Sequence, residues 1–507
     1  FDNSTALNAS LVTDDQRAGL YIFGQNRHRS AYDHDGDGYS EIPKLHGQTI
    51  GFRSFLKTTT YSKLTFEYHH MEEFRRGGDL LNRPPHEANV AEQTEHSING
   101  GGLKFDYFSP NENHRFNVFA SAQHINRDSY YGPGDRDPLD AYGNTTDLNW
   151  MAGSQYVYSF GKCIFMPSDL TAGIEFNQDK LEDNMWGYNR TVDQKVNIGS
   201  AFLQNEWKND HWGFLIGGRL DKHNLIDHVI FSPRANLRYN PTENINLRFS
   251  YSSGFRAPQA FDEDLHVENV GGNVAMVELA DNLKEERSQS LSASADIYHR
   301  FGAFQVNFLV EGFYTKLSDV FALTDGEVVD GILTRTRHNA SGAQVLGLTL
   351  EGKMAYLNKI QVQAGVTLQQ SHYSKPHIWN KEAPAVKKMM RTPNTYGYFT
   401  ATYTPIKPLS IALSGTYTGS MLVPHEPVPG FLENPITVNT KDFFDIGLKA
   451  AYDFKLYKSM NLQLNAGIQN IFNAYQDDFD KGADRDSGYI YGPSLPRSFF
   501  AGVKISY

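Results

Sequence analysis

The C-terminal stretch from Met460 to Tyr507 constrains the fold more than any other part of the chain. It begins with a segment in which apolar and polar residues alternate from Met460 to Gln469. It ends with a second alternating segment, predicted as a strand over 489–507, that runs to the aromatic terminus. Period-two alternation is typical of β-strands. The inner face of a soluble sandwich is its apolar core, whereas a membrane barrel has lipid outside and water or a plug inside. One polar face in the first segment therefore favours a barrel.

The composition is compatible with a barrel and excludes several other classes. Hydrophobic residues make up 40% of the 507 positions and aromatic residues 13%. The chain lacks a run of about 18 apolar residues, so no transmembrane helix is predicted. Barrel strands need only alternate residues to be apolar, and aromatic residues form girdles at both membrane surfaces. The net charge of -11 argues against nucleic acid as a partner. The single cysteine, Cys163, excludes an intrachain disulfide bond.

Alternating segments of about 8–15 residues recur along the whole chain, and we count 21 of them. Short connections rich in Asn, Asp, Gly and Pro alternate with long ones, among them 257–286 and 321–331. This is the layout of an outer-membrane barrel with short periplasmic turns and long extracellular loops, and bacterial barrels have an even number of strands. We therefore predict an all-β fold, a 22-stranded antiparallel transmembrane β-barrel. Residues 332–355 form one of its strands, and its first strand precedes Phe1.

Four stretches, in a fixed order, carry a family resemblance. Residues 255–258, reading FRAP, end one predicted strand, and residues 281–288, reading DNLKEERS, begin the next. Residues 470–473, reading NIFN, precede the terminal segment PRSFFAGVKISY. Together these stretches resemble the FRAP box, the NPNLKPE-S box, the NLFD turn and the last strand of TonB-dependent outer-membrane receptors. The second box departs from the family at its proline positions. The resemblance covers essentially the whole chain.

The resemblance implies a receptor barrel over residues 1–507, in the outer membrane of a Gram-negative bacterium. Members of the family have an N-terminal plug domain that contacts TonB, and we expect the plug to be absent from this chain. The implied function is active import of a large, scarce chelate, energised by TonB–ExbB–ExbD through the plug. The boxes are similar in style to those of Bacteroidota receptors for haem, ferric siderophores or cobalamin, so the cargo would contain iron or cobalt. Outer-membrane lipid and a surface lipoprotein are the other expected partners.

Two other classes remain as alternatives to the receptor. A passive porin or an adhesin barrel is the first, although porins usually have about 16–18 strands and lack the FRAP and NIFN boxes. A soluble β-rich binding protein is the second. The sequence contains no GxSxG, HExxH, CxxC or P-loop pattern. We therefore do not predict an enzyme.

Residues 33–41, reading DHDGDGYSE, resemble the start of an EF-hand calcium loop. Carboxylates occupy the first, third and fifth positions and glycine the sixth. The twelfth position is Lys44 rather than the usual glutamate. The two interpretations are Ca²⁺ bound in an extracellular loop and a solvated acidic turn. Cobalamin receptors of the resembled family order their extracellular loops with calcium at a similar position, which favours the first. The predicted ligands are Asp33, Asp35, Asp37, the carbonyl of Tyr39, and Glu41.

Three residues are candidates for contact with the imported ligand. His266 lies between the two boxes, in a loop where haem receptors of the resembled family place an iron-ligating histidine. The alternative is a solvated loop histidine. Tyr130 and Tyr131 flank a long connection that includes Asp135–Asp137. Their rings are either a stacking surface for a flat ligand or girdle and loop-packing residues.

Two arginines are predicted to face the lumen. Arg248 alternates with Leu247 and Phe249, and on the lipid face at mid-bilayer it would cost about 2–4 kcal/mol. Arg256 belongs to the FRAP box. We expect both to pair with acidic residues of the plug, with ligand contact as the alternative.

Overall fold

The structure is a computed structural model that describes residues 1–133, 142–270 and 273–507. Its few helical segments are one turn, α1 (Asp262–Leu265), and two 3-10 turns at Pro85–Glu87 and Trp186–Tyr188. Among the described residues, no helix combines the length and the apolar composition needed to cross a bilayer. The strands are β1 (Asp2–Val12), β2 (Ala18–Arg29), β3 (Ser40–Thr59), β4 (Ser62–Gly78), β5 (Val90–Phe108), β6 (His114–Pro133), β7 (Tyr142–Cys163), β8 (Met166–Met185), β9 (Arg190–Lys208), β10 (Trp212–His223), β11 (Ile230–Thr242), β12 (Ile245–Arg256), β13 (Glu268–Val270), β14 (Asn273–Leu279), β15 (Glu286–Phe301), β16 (Phe304–Ser318), β17 (Phe321–Val329), β18 (Ile332–Asn339), β19 (Ala343–Tyr356), β20 (Ile360–His377), β21 (Val386–Lys388), β22 (Thr395–Ile406), β23 (Leu409–Thr418), β24 (Leu422–His425), β25 (Ile436–Asn439), β26 (Phe443–Tyr457), β27 (Met460–Gln469) and β28 (Ser498–Ser506).

One antiparallel sheet of 22 strands forms the barrel, which confirms the predicted fold class. Its short member, β21, pairs only with β20. The other 21 strands pair in chain order, from β1 with β2 to β27 with β28. No pairing between β1 and β28 occurs among the described residues, so these two strands are the edges of the sheet.

The two faces of the strands differ in polarity as the terminal alternation predicts. Residues directly opposite each other share a face, and Leu464 lies opposite Val503 while Gln463 lies opposite Lys504. On the apolar face Val503 is 68% exposed and Leu203 in β9 is 56% exposed. Exposed apolar side chains in a regular outward band are the lipid-facing surface of a membrane barrel.

The connections differ sharply in length at the two ends of the barrel. At one end none exceeds five residues. At the other end several are long, and the family layout makes this end extracellular. Here β13, β14, β18 and β17 form a separate four-stranded sheet, in which β14 and β18 are parallel. This sheet joins connection 257–285 to connection 319–342. Its residues Val274 and Met276 pack against Tyr131 and Met185 of the barrel wall.

Three predicted boundaries are wrong, all at this extracellular end. The predicted barrel strand 332–355 is two strands, because β18 pairs with β14 and β17 outside the barrel and only β19 joins the wall. The predicted loop 321–331 is largely β17. The predicted last strand 489–507 begins only at Ser498. Tyr489 and Tyr491 instead pack in an apolar cluster with Met421, Val423 and Phe443.

Candidate ligand-binding site at the barrel mouth

A cavity of about 630 Å³ lies at the extracellular end of the lumen. Its wall combines the upper ends of β3 to β6 with connections 257–285 and 470–497. Small-molecule sites typically have about 300–1,000 Å³, so the cavity is large enough for a compact ligand. Aromatic side chains, Tyr39, Tyr131, Phe479 and Tyr489, line it together with many charged groups.

His266 and Tyr131, predicted from distant parts of the sequence, meet in this cavity. The ring centroids are 5.3 Å apart in an edge-to-face arrangement. The Nε2 atom of His266 is in hydrogen-bond contact with the carboxylate of Glu92. Burial lowers the pKa of His266, but the hydrogen bond and the charge of Glu92 outweigh it, so the pKa is raised. An iron atom could reach Nε2 only by displacing Glu92.

The aspartate loop, which is residues 33–41, lies beside the cavity and is held by connection 470–497. One oxygen from each of Asp33, Asp35 and Asp37 falls within 4.8 Å of the others. The Arg485 guanidinium contacts Asp37, lies 3.1 Å from Glu41 Oε1, and stacks 4.7 Å above the ring centroid of Tyr39. Three of the five predicted metal ligands are thus grouped, and two of the five, Asp37 and Glu41, contact Arg485.

The family comparison matches this architecture. The family described as "TonB dependent receptor-like, beta-barrel" matches residues 4–471. The chain belongs to this family. The receptor is therefore an outer-membrane protein of the Gram-negative type, and its family is one of transport receptors rather than enzymes.

Solved structures with the same fold include several siderophore receptors. PirA from Acinetobacter baumannii has a TM-score of 0.76 at 14% identity, covering 99% of the receptor chain and 77% of its own. A mutant of PfeA from Pseudomonas aeruginosa, a ferric enterobactin receptor, has a TM-score of 0.75 at 14% identity over 99% and 77%. Fiu from E. coli K12, a ferric-catecholate import receptor, has a TM-score of 0.72 at 12% identity over 99% and 79%. A search of curated proteins finds no match.

Arg335 on β18 joins four extracellular elements of the receptor. Its side chain is 13% exposed, and its three nitrogens lie 2.8 Å from Glu268, 3.1 Å from Asp325 and 3.2 Å from Glu426. These carboxylates belong to β13, β17 and connection 419–442. Asn380 of connection 378–394 donates hydrogen bonds to both Asp325 and Glu426. Arg335 is therefore the centre of a buried polar junction at the mouth.

The polar contacts continue from this junction to the aspartate loop. Asp486 accepts a hydrogen bond from the Glu426 backbone at 3.0 Å. Asp480 accepts one from the Asp486 backbone and lies 2.9 Å from His425 Nε2. Asp480, Asp486 and Arg485 all lie in connection 470–497. Loops far apart in sequence therefore form one continuous polar network.

The remaining predicted site residues have other surroundings. Tyr130 is buried in the apolar cluster that includes Met185 and Tyr188, and it does not line the cavity. Arg256 lies 2.6 Å from Glu263 and 4.0 Å above the ring of Phe261, so it already has partners within the chain. Arg248 is exposed on β12. The Asp135–Asp137 segment lies outside the described residues.

The Arg335 junction was not predictable from the sequence. Arg335 and its partners are separated by up to 91 positions, and each is an ordinary charged residue in its own segment. The only local signal is the acidic character of connection 257–285, which has seven acidic residues and one lysine.

The stability of the extracellular connections that meet at Arg335 should depend on pH. Burial raises the pKa of Glu426, the nearby carboxylates of Asp325 and Asp486 add to this effect, and Arg335 opposes it; together they bring the pKa to about 7. A raised carboxyl pKa gives stability that is present below the ordinary value and is lost as the pH rises through about 7. In hydrogen exchange, we expect connections 319–342 and 419–442 to be better protected at pH 5.5 than at pH 8.

Glu426→Gln tests this cause directly, because glutamine keeps the shape and does not ionise. The variant should show nearly equal protection at both pH values. A wild-type receptor with no pH dependence, or a variant that keeps it, would contradict the assignment to Glu426.

Proposed function

We propose that the receptor imports an iron chelate across the outer membrane, with energy supplied by TonB. The observation that carries the proposal is the 630 Å³ polar and aromatic cavity at the extracellular mouth of a TonB-dependent receptor barrel. The names of its structural relatives, which are siderophore receptors, support a siderophore as the chelate. Haem and cobalamin are the alternatives, and His266 is the candidate iron ligand for haem. The family match favours this function over a passive porin or an adhesin.

The test is purification of the full-length receptor from an iron-limited host, followed by absorption spectroscopy and metal analysis. Bound iron with a siderophore charge-transfer band supports the proposal. A Soret band would assign haem, and a corrin spectrum would assign cobalamin. A receptor that carries no chelate and does not support chelate uptake in a receptor-deficient host would contradict import.

We propose further that another strand and a plug domain complete the full-length receptor. Backbone groups left unpaired in lipid cost several kcal/mol each, and β1 and β28 both present such an edge. A strand between them would satisfy both edges and would raise the number of strands that pair in chain order, which is 21 without β21, to 22. A plug would give TonB–ExbB–ExbD its contact, and its acidic residues would pair with Arg248 in the lumen. A surface lipoprotein is a further candidate partner.

We propose calcium as the ligand of the aspartate loop. Ca²⁺ takes six to eight oxygen ligands, and Asp33, Asp35 and Asp37 each have one oxygen within 4.8 Å of an oxygen of the other two. Asp35 Oδ2 is buried without a hydrogen-bond partner among the described residues, and the Lys481 ammonium is 3.5 Å away. Glu41 and the carbonyl of Tyr39 are the further predicted ligands.

Removing the metal or its ligands tests the site. The double variant Asp33→Asn/Asp35→Asn should abolish Ca²⁺ binding in calorimetry. The same variant, or removal of Ca²⁺ from the wild-type receptor, should weaken its affinity for the iron chelate. Asp227→Asn, an exposed aspartate in connection 224–229, is the matched control. Equal Ca²⁺ binding by the double variant and the control would leave only an acidic turn.

A further inference from the structure

We propose that the mouth cavity selects an iron chelate of positive net charge and disfavours anionic chelates. The inference rests on the proposed function and specifies its substrate class. Seven carboxylates line the cavity against three arginines and two histidines. A site with this excess of negative charge attracts cations and repels anions.

The arginines of the cavity are already engaged. Arg75 lies 2.7 Å from Glu73, and Arg127 lies 2.8 Å from Asp262. Arg485 contacts Asp37 and Glu41. An anionic ligand would have to compete with these carboxylates for every arginine that it met.

The exposed charge in the cavity is negative, because three carboxylates are each more exposed than the cation with which they pair: Asp262 with Arg127, Glu92 with His266 and Glu268 with Arg335. The side chain of Asp262 is 89% exposed, that of Glu92 is 51% exposed and that of Glu268 is 38% exposed. The most basic connection, 378–394, does not line the cavity. The basic residues of connection 378–394 therefore lie outside the lining of the cavity, and these three carboxylates face the space that a ligand would fill.

One buried donor shows how a cationic chelate would still be held. The side chain of Arg127 is 7% exposed and lines the cavity. Its Nη2 atom has no hydrogen-bond partner among the described residues, and the nearest carboxylate oxygen, on Asp183, is 3.7 Å away. This atom is enclosed by the protein, so a carbonyl oxygen next to the iron would reach it only after the Arg127 side chain turned further toward the cavity. Ferric hydroxamates with a protonated amine combine such oxygens with positive charge.

The test is calorimetric titration of the full-length receptor with three iron chelates of similar size. The probes are a cationic ferric trishydroxamate, an uncharged ferric trishydroxamate and a trianionic ferric tris-catecholate. We expect the cationic probe to bind at least about tenfold more tightly than the trianion at low salt. The difference should shrink at high salt, because ions screen these interactions.

Variants separate charge from shape. Glu92→Gln combined with Asp262→Asn should reduce the preference for the cationic probe by about threefold to tenfold. The control Glu243→Gln, at an exposed turn on the periplasmic end, should leave it unchanged. Tightest binding of the trianion, or an unaltered preference in the double variant, overturns the charge assignment while leaving chelate import intact. Binding of none of the three probes overturns the proposed function itself.

Discussion

Replacing Arg335 by methionine should release the extracellular loops from one another while the barrel remains folded. The substitution leaves Glu268, Asp325 and Glu426 close together without their shared cation. Breaking a buried ion pair by removing one partner costs about 3–5 kcal/mol. In hydrogen exchange, connections 257–285, 319–342 and 419–442 should lose protection together, because one side chain holds them.

An arginine at the same end of the barrel provides the comparison. Arg287 pairs with Glu285 at 2.8 Å, but its side chain is 44% exposed. An exposed pair contributes about 0–1 kcal/mol, so Arg287→Met should change loop protection little. If Arg335→Met leaves the three connections as protected as Arg287→Met does, the junction does not hold the mouth together.

Replacing Gly467 by valine should prevent the terminal hairpin from joining the barrel. Gly467 lies on β27 opposite Phe500 of β28. A Cβ at this position would lie 2.3 Å from the carbonyl oxygen of Leu448 in β26 and 2.5 Å from the Phe500 ring. A backbone carbonyl of a paired strand cannot move aside without breaking the ladder. We expect a loss at or above the upper end of the roughly 1–3 kcal/mol that overpacking typically costs.

The measurement is heat-modifiable mobility in SDS electrophoresis of outer-membrane fractions, which separates folded from unfolded barrels. Gly352 in β19 is the matched glycine, because nothing lies within 4 Å of its Cβ position. Gly352→Val should keep most of the folded fraction, and Gly467→Val should lose it. Equal folded fractions in the two variants would show that the strands adjust to the added side chain.

The barrel was predictable because its physical cause is local. Lipid on one side and a polar lumen on the other impose the same alternation on every strand, so Met460–Gln469 alone indicates the class. The assignment of 332–355 as one barrel strand was wrong because β18 is as extended as β19 but pairs outside the wall. Only the identity of the partner strand distinguishes a wall strand from a strand of the extracellular sheet, and the local sequence does not encode that identity.

The candidate site was predictable only where a residue type carried its own signal. The aspartates at 33–37 were recognised by their spacing, and His266 was recognised by its position between the two family boxes. The Arg335 junction and the Arg127–Asp262 pair depend on loops that meet across the mouth. No periodicity in the sequence indicates which distant loops will be in contact.

Arg485 is shared by the aspartate loop and the mouth cavity. It contacts Asp37 and Glu41 in the aspartate loop and also lines the mouth cavity. A cation that takes the oxygens of Asp37 and Glu41 must displace this guanidinium, and the displaced group changes the potential that a chelate meets. Two equilibria that share a residue in this way are thermodynamically linked, and the coupling is reciprocal. If both proposed ligands bind, the factor by which calcium changes the affinity for the chelate is also the factor by which the chelate changes the affinity for calcium.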